Sequence, residues 1–366
     1  MKKLKVLMLS AEKTWRGGEQ QIAYLVSELM SRGTEVVVGV KAGSPFEKHC
    51  IEKGITVHAL PFRNGSDIFT ALSVRSICRA ESIDLIHAHS SRSHGIAVLA
   101  AFFGNKTPII LSRRVDFVPK NSFMTRWKYN HSAVKKILCV SDKITSIMRE
   151  FVDQPQKCIT VHSGIDFQKF EGHGRTDVLR REYSIPEGHW IIGNTSALED
   201  HKDYFTFINC IKILVTSGIP CKALIFGRGS LDKKLQDYTR MSNMEGSIIF
   251  TGFKKNIPEL MPSLDFFLMT SKEEGLGTSV LDAFASGVPV VATAAGGIPE
   301  MVIHEQTGLL APIGDAKELS ACLNRLMADA ALRERIISSA KEKVREFSMK
   351  ETASKTYQVY LDVLDS

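Results

Sequence analysis

At 366 residues the chain is too long for one ordinary core and fits two domains of typical size. Hydrophobic residues at 44% and charged residues at 24% exclude a disordered chain, and no stretch supplies the ~18 consecutive apolar residues of a membrane-spanning helix. The net charge of +7 divides unevenly: residues 1–170 carry 25 Lys and Arg against 14 Asp and Glu, and residues 171–366 carry 22 against 26, so the two halves suit different partners.

The opening run from Met1 to Ala11 stops at Glu12-Lys13, too short for the apolar centre of a signal peptide, and predicts a buried first strand over residues 5–9. Gly17-Gly18 lies in the turn after it. Further apolar runs predict strands at 35–40, 56–60, 84–87, 108–111, 136–140 and 158–161, with helical runs between them. This alternation predicts an α/β fold of parallel strands joined by helices. The seven cysteines are odd in number and scattered through apolar runs, which points to a reducing compartment and no metal cluster.

His87 and His89 fall at and just beyond one strand end, on the same face. His89 is placed to face a ligand and His87 to pack, although strand-end histidines are more often structural. Between Arg92 and Lys136, nine basic residues and the single acid Asp116 are interleaved with Phe117, Phe123, Trp127 and Tyr129. That mixture suits an anionic membrane surface or an anionic acceptor, and a solvated basic helix face accounts for it equally well. Nucleic acid is not expected, since no binding signature accompanies the patch. Within it, Arg113-Arg114 follows a strand and suits either a phosphate on an acceptor or a structural pairing with Asp116.

Residues 166–189 are polar and contain Gly172-His173-Gly174 and Pro186-Glu187-Gly188, which predicts a hinge between domains 1–165 and 166–347. Strands are then expected at 190–194, 222–226, 247–250, 265–269 and 289–292, with helices such as 204–215 and 231–241 between them: a second copy of the first architecture. The tail 316–366 reads as helical throughout. Ser348 and Glu351 make a capping box for a last helix, 348–366, expected to return to the first domain. Open parallel sheets bind ligands beyond the carboxyl ends of their strands, so two such domains facing each other form one cleft.

The stretch from Ser271 to Pro289 carries the most chemistry. Gly275 and Gly277 let the backbone approach a ligand, and Thr278 and Ser279 begin a helix whose bare amides and dipole favour a phosphate. Glu274 stands beside this cradle, with Asp282 eight positions on. Carboxylates repel an anion, so their natural partners are the neutral hydroxyls of a sugar and a ribose.

These residues resemble the glycosyltransferase family 4 signature: a glutamate, seven residues and a second acid within a Glu-Gly-x-Gly run, then Gly287-Val288-Pro289-Val290-Val291 and Gly296-Gly297-Ile298-Pro299-Glu300. The resemblance extends over nearly the whole chain through Gly17-Gly18-Glu19, His87-Ala88-His89, Val140-Ser141, Ser163-Gly164-Ile165-Asp166 and Thr307-Gly308-Leu309. It implies a GT-B architecture of two Rossmann-like, doubly wound domains, with the nucleotide-sugar held by the C-terminal one and the acceptor by the N-terminal one. It implies transfer with retention of configuration, and neither metal nor cofactor.

On the same resemblance Glu274 holds hydroxyls of the donor sugar, Asp282 holds the ribose, and Lys202 grips the diphosphate. Amides at Gly277, Thr278 and Ser279 and at Gly17 and Gly18 meet the phosphates, and His89 contacts the sugar near the reacting centre. Arg228, in Gly227-Arg228-Gly229, is a further phosphate ligand or part of a plain strand-to-helix turn. Phe253-Lys254 is a base contact or a solvated loop, and Glu300 a donor contact or a helix cap. Two positions depart from the pattern: Ala197 stands where an arginine is common, and Asp282 where glutamate is usual.

The expected function is retaining hexosyl transfer from a nucleotide diphosphate sugar to a cell-envelope glycan or lipid-linked acceptor. The expected location is cytoplasmic, including the inner face of an anionic membrane. A nucleotide-sugar epimerase and a non-catalytic nucleotide-sugar-binding protein are the alternatives. A dehydrogenase is not expected, because no Gly-x-Gly-x-x-Gly follows the first strand with an acid at its usual distance.

Overall fold

The computed structural model describes residues 3–365. The chain divides into two compact units, Met1–Gly164 with Met349–Ser366, and Ile165–Ser348.

The first unit is built on a parallel sheet of β1 (Lys5–Ser10), β2 (Glu35–Lys41), β3 (Thr56–Leu60), β4 (Leu85–Ala88), β5 (Ile109–Arg113), β6 (Val134–Cys139) and β7 (Cys158–Thr160). Their order is β3-β2-β1-β4-β5-β6-β7. The second unit holds β8 (Trp190–Thr195), β9 (Cys221–Phe226), β10 (Ile248–Gly252), β11 (Phe266–Met269), β12 (Val290–Thr293) and β13 (Leu309–Ala311), in the order β10-β9-β8-β11-β12-β13. Both are doubly wound Rossmann-like sheets. Helices cover both faces of such sheets, which is why central strands carry short apolar runs such as Val6–Leu9 and Phe266–Met269.

In each sheet the strand order reverses beside the first strand, between β1 and β4 and between β8 and β11, and that reversal opens a crevice at the carboxyl ends. The two units lock this point in the same way. The Lys5 amide donates to the Asp84 carboxylate at 2.9 Å while the Asp84 amide donates to the Lys5 carbonyl at 2.9 Å. The Ile191 amide donates to Asp265 at 2.7 Å, and the Asp265 amide returns to the Ile191 carbonyl at 2.8 Å. A carboxylate one residue ahead of the fourth strand thus supplies the acceptor that the first strand lacks at its start.

Three expectations need correction. β5 does not stop at residue 111: pairing with β6 carries the ladder on to Arg113, opposite Cys139, so Arg113 is a strand residue rather than a loop residue. β13 was not expected, because three residues between Gly308 and Pro312 make no apolar run; its pairing with β12 makes it a strand. The tail is not one helical stretch, since Asp329, in extended backbone, separates helices Ala316–Ala328 and Ala330–Lys343. Ser348, also extended, precedes the last helix, Met349–Leu364.

That last helix belongs to the first unit. It packs on the helix Gly17–Ser31 and buries Ala353, Val359, Tyr360 and Val363 in the core beneath β1. Its Tyr360 hydroxyl meets His87 Nδ1 at 2.6 Å. All seven cysteines are reduced and buried. Among the described residues, no helix is long and apolar enough to cross a membrane.

Candidate active site

In the second unit the loops leaving β8 and β11 flank the crevice. The loop after β8 reaches Lys202 in a short 3-10 turn, then turns through Asp203, whose left-handed backbone and side chain cap the helix Tyr204–Thr216. The loop after β11 carries Glu274. Adjacent strands bring the two together although 72 positions separate them: Lys202 Nζ and Glu274 Oε2 form an ion pair in which each side chain is 13% exposed.

The pair is held from several sides. Thr270 Oγ1 donates to the carbonyls of Lys202 (3.1 Å) and Asp203 (3.0 Å), tying the first loop to the end of β11. Ser271 donates to the Glu274 carboxylate at 3.2 Å, and Thr293, at the end of β12, donates to the Ser271 carbonyl at 2.6 Å. The Gly297 amide donates to the Glu274 carbonyl at 3.0 Å, so the Gly296-Gly297-Ile298 segment fixes the Glu274 backbone.

Gly277 takes a left-handed conformation, φ 93°, immediately ahead of the helix Thr278–Ala285. The positive φ favours glycine for the turn, and a Cβ there would lie 3.2 Å from Glu274 Cγ, close enough to crowd it. Thr278 and Ser279 are half-buried in the first turn, where amide groups have no helical acceptor. The site thus offers one ammonium, one carboxylate and a helix N-terminus: cations and amides for phosphates, and an anion for hydroxyls.

Asp282 is half-buried on that helix. Burial pushes its carboxyl up to about 7, against the opposing pull of Lys169. An unfolded aspartate titrates near 3.9. Between about pH 4 and 7 the folded chain therefore holds a proton that the unfolded chain has released, and stability falls as pH rises through that window and levels off above it. Asp282→Asn is expected to flatten this fall, measured as urea-unfolding free energies at pH 5 and pH 8; a variant with the wild-type slope rules out Asp282 as its source.

The remaining candidates of this unit lie around the same strand ends. Arg228 is exposed, and its guanidinium runs along Gly252 at the end of β10. Gly227 and Gly229 do not have positive φ; they allow backbone contact, since a Cβ would lie 2.0 Å from the Ser196 carbonyl oxygen and 2.3 Å from that of Leu198. Lys254 is engaged with Glu182 at 2.7 Å, while Phe253 is 68% exposed.

The first unit places its candidates at the carboxyl ends of β1, β4 and β5. Gly17 and Gly18 open the helix Gly17–Ser31. His87 is fully engaged, with Nε2 meeting Ser112 Oγ at 2.8 Å in addition to the Tyr360 contact. His89 is buried rather than freely presented: its ring lies 3.9 Å from that of His87 and Nε2 faces Met8 Sδ at 3.3 Å, while Nδ1 has no partner. Desolvation, with His87 and Arg114 nearby, holds its pKa well below the ordinary histidine value, so the ring is neutral. Arg113 is buried, donating to the Tyr129 hydroxyl at 3.3 Å and to the Phe117 carbonyl. Arg114 donates to Ser163 Oγ at 3.2 Å.

Sequence reasoning missed Thr270, Thr293 and Asp203, which build the Lys202–Glu274 pair, and Arg16 beside Gly17-Gly18, and it gave Glu19 no role beyond its place in the Gly17-Gly18-Glu19 motif. Glu19 had one local signal, its position three residues after Arg16, whose amide it accepts at 3.1 Å.

The N-terminal half, residues 15–169, matches the model of Glycosyltransferase Family 4, and residues 176–343 match that of Glycosyl transferases group 1. The chain is 26% identical over 356 residues to the N-acetyl-alpha-D-glucosaminyl L-malate synthase of Bacillus anthracis, covering 93% of this chain and 92% of that protein. It is 23% identical over 289 residues to the N-acetylgalactosamine-N,N'-diacetylbacillosaminyl-diphospho-undecaprenol 4-alpha-N-acetylgalactosaminyltransferase of Campylobacter jejuni, covering 76% of each. Anabaena HepE, solved in complex with UDP and glucose, superposes with a TM-score of 0.85 at 19% identity over 98% of this chain and 100% of its own. With two Rossmann-like sheets and both family models in register, the chain belongs to glycosyltransferase family 4, the group 1 glycosyl transferases of GT-B fold.

Proposed function

We propose that the chain is a retaining hexosyltransferase: the Ile165–Ser348 unit binds a nucleotide diphosphate sugar, and the other unit receives a cell-envelope glycan or lipid-linked acceptor. The observation that carries this reading is the convergence of Lys202 and Glu274 at the β8–β11 crevice, beside the helix that begins at Thr278. Departure of a nucleoside diphosphate builds negative charge on phosphate and positive charge on the sugar ring. Lys202 and the amides of Gly277 to Ser279 meet the first, once a bound donor has taken the place of the Lys202–Glu274 ion pair. Glu274 takes hydroxyls of the sugar, and Asp282 those of the ribose.

In this reading the leaving phosphate accepts the acceptor's proton, so no second catalytic carboxylate of the glycosidase kind is needed, nor a metal. The names of the relatives support the acceptor class, one of them acting on a diphospho-undecaprenol saccharide. Peripheral contact with an anionic membrane is supported by Phe102, Phe117, Val118, Phe123 and Met124, all exposed within the basic stretch from Arg92 to Lys136.

The test is thermal stabilisation against a panel of nucleotide-sugars, followed by nucleotide release with candidate acceptors. A cognate donor at ~100 times its dissociation constant should add about 2.7 kcal/mol. Stabilisation by none of them removes the assignment. Stabilisation without nucleotide release across the acceptors favours a binding protein, and epimerised sugar without acceptor favours an epimerase.

A further inference from the structure

The first unit has an open cavity of about 560 Å³ at the carboxyl ends of β1, β4 and β5, with His89 in its wall. Five cationic side chains line it, Arg16, Arg113, Arg114, Lys120 and Lys128, against two acids, Glu12 and Glu19. Glu19 is already committed: its carboxylate accepts the Arg16 amide at 3.1 Å and the Ser10 hydroxyl at 3.4 Å, and it is 4% exposed.

The two arginines are the unusual feature. Arg113 is 7% exposed, its guanidinium standing 4.7 Å over the Phe117 ring and held by neutral oxygens alone. Arg114 has Ser163 Oγ as its hydrogen-bond partner, and burial lowers its pKa to about 10 even with Glu19 nearby. Among the described residues the guanidiniums have hydroxyl and carbonyl oxygens as partners, and Nε of both, like Nδ1 of His89, is buried without a hydrogen-bond partner. A desolvated charge that lacks a close ion pair is unfavourable, and here it holds for Arg113 outright and for Arg114 except for Glu19 nearby. An anion from outside the chain would supply the charge that the lining lacks.

We infer that this cavity seats an oxyanion, a phosphate or carboxylate that the acceptor carries within a few bonds of the hydroxyl that is glycosylated, with Arg16, Arg113, Arg114 and Lys128 as its partners. The inference rests on the acceptor role proposed for this unit and narrows it to anionic acceptors. A planar guanidinium recognises the paired oxygens of such a group, and a cavity of this size admits one saccharide-sized unit. Lys128 is already turned across the neighbouring helix start, its ammonium 3.3 Å from Ser91 Oγ, where it can exchange a hydroxyl for an anion. Neutral His89, with Nδ1 unpaired beside them, suits a hydroxyl rather than the anion itself.

The experiment is calorimetric titration of inorganic phosphate into the full chain saturated with the nucleoside diphosphate that stabilises it, so that the donor's phosphate subsite is filled. Saturable binding is expected, weakened roughly 10- to 100-fold in Arg114→Gln, the range for losing a hydrogen bond to a charged group. Arg16→Gln, an exposed position at a helix start, tests the same point without touching the packed interior. Phosphorylated or carboxylated acceptors should outperform their neutral counterparts in nucleotide release, with the variants raising acceptor KM far more than they lower kcat. Absent phosphate binding, binding unchanged in both variants, or neutral acceptors used equally well each overturn the inference. A chain that binds no nucleotide-sugar defeats the transferase reading instead, and the phosphate titration without nucleotide still decides the cavity.

Discussion

Glu274→Ala and Lys202→Ala are each expected to lower transfer by about 10²–10³-fold, the usual consequence of removing one preorganised group from a site that stabilises developing charge. Lys202 is the cation closest in kind to what a leaving diphosphate requires, and Glu274 the acceptor for sugar hydroxyls, yet in the unliganded chain they neutralise one another. A donor therefore takes the place of an existing ion pair. Each single variant removes one side of this ion pair in a site only 13% exposed, so some of the loss will register as stability.

The double variant separates the two effects. Removing both charges restores neutrality, so stability should recover relative to either single variant, as a double-mutant cycle reads it, while transfer should not. Turnover that recovers in the double variant assigns the pair a structural role, and turnover at the wild-type level in either single variant removes the mechanism.

How much of this was legible beforehand differs by element. Buried parallel strands announce themselves: β1, β2 and β9 carry the apolar runs Val6-Leu7-Met8-Leu9, Val36-Val37-Val38 and Ala223-Leu224-Ile225-Phe226 because helices cover both faces of the sheet. β13 has no such signal in three residues, and β5 runs on through Ser112 and Arg113 because its neighbour's ladder, rather than its own hydrophobicity, sets its end. That extension has a chemical consequence. It turns Arg113 from a loop arginine free to reach solvent into a buried strand-end charge.

The site was legible where a local pattern carries the function. The glycine at 277, the helix start after it and Glu274 beside it are all within a few residues. The Lys202–Glu274 pair was not, because sheet order places β8 next to β11, and no spacing along the chain encodes that adjacency. The same holds for Arg114 near Glu19 and for Thr270 under Lys202.

The turn at Gly227-Arg228-Gly229 shows the point in its sharpest form, and it carries the other large expected effect. In the sequence these glycines read equally as a phosphate turn or a plain strand-to-helix turn. In the structure they are pressed against the loop that leads to Lys202: the Leu198 amide donates to the Arg228 carbonyl at 3.2 Å, and the Leu231 amide donates to the Leu198 carbonyl at 3.0 Å. A methyl group at either glycine would meet backbone at 2.0–2.3 Å, and backbone cannot rotate away as a side chain can. Gly227→Ala and Gly229→Ala are therefore expected to lower unfolding stability by about 1–3 kcal/mol each, the range for overpacking a fitted site. Because the strain falls on the segment from Ser196 to Lys202, donor affinity should drop with stability, by about tenfold for a misplacement that loses roughly 1.4 kcal/mol. Gly246→Ala, with open space around its Cβ position, is the matched control and should stay within about 0.5 kcal/mol of wild type. Urea unfolding and nucleotide-sugar titration of the three variants decide the matter, since equal behaviour of all three shows that the two loops part without strain and that Lys202 does not depend on this turn for its position.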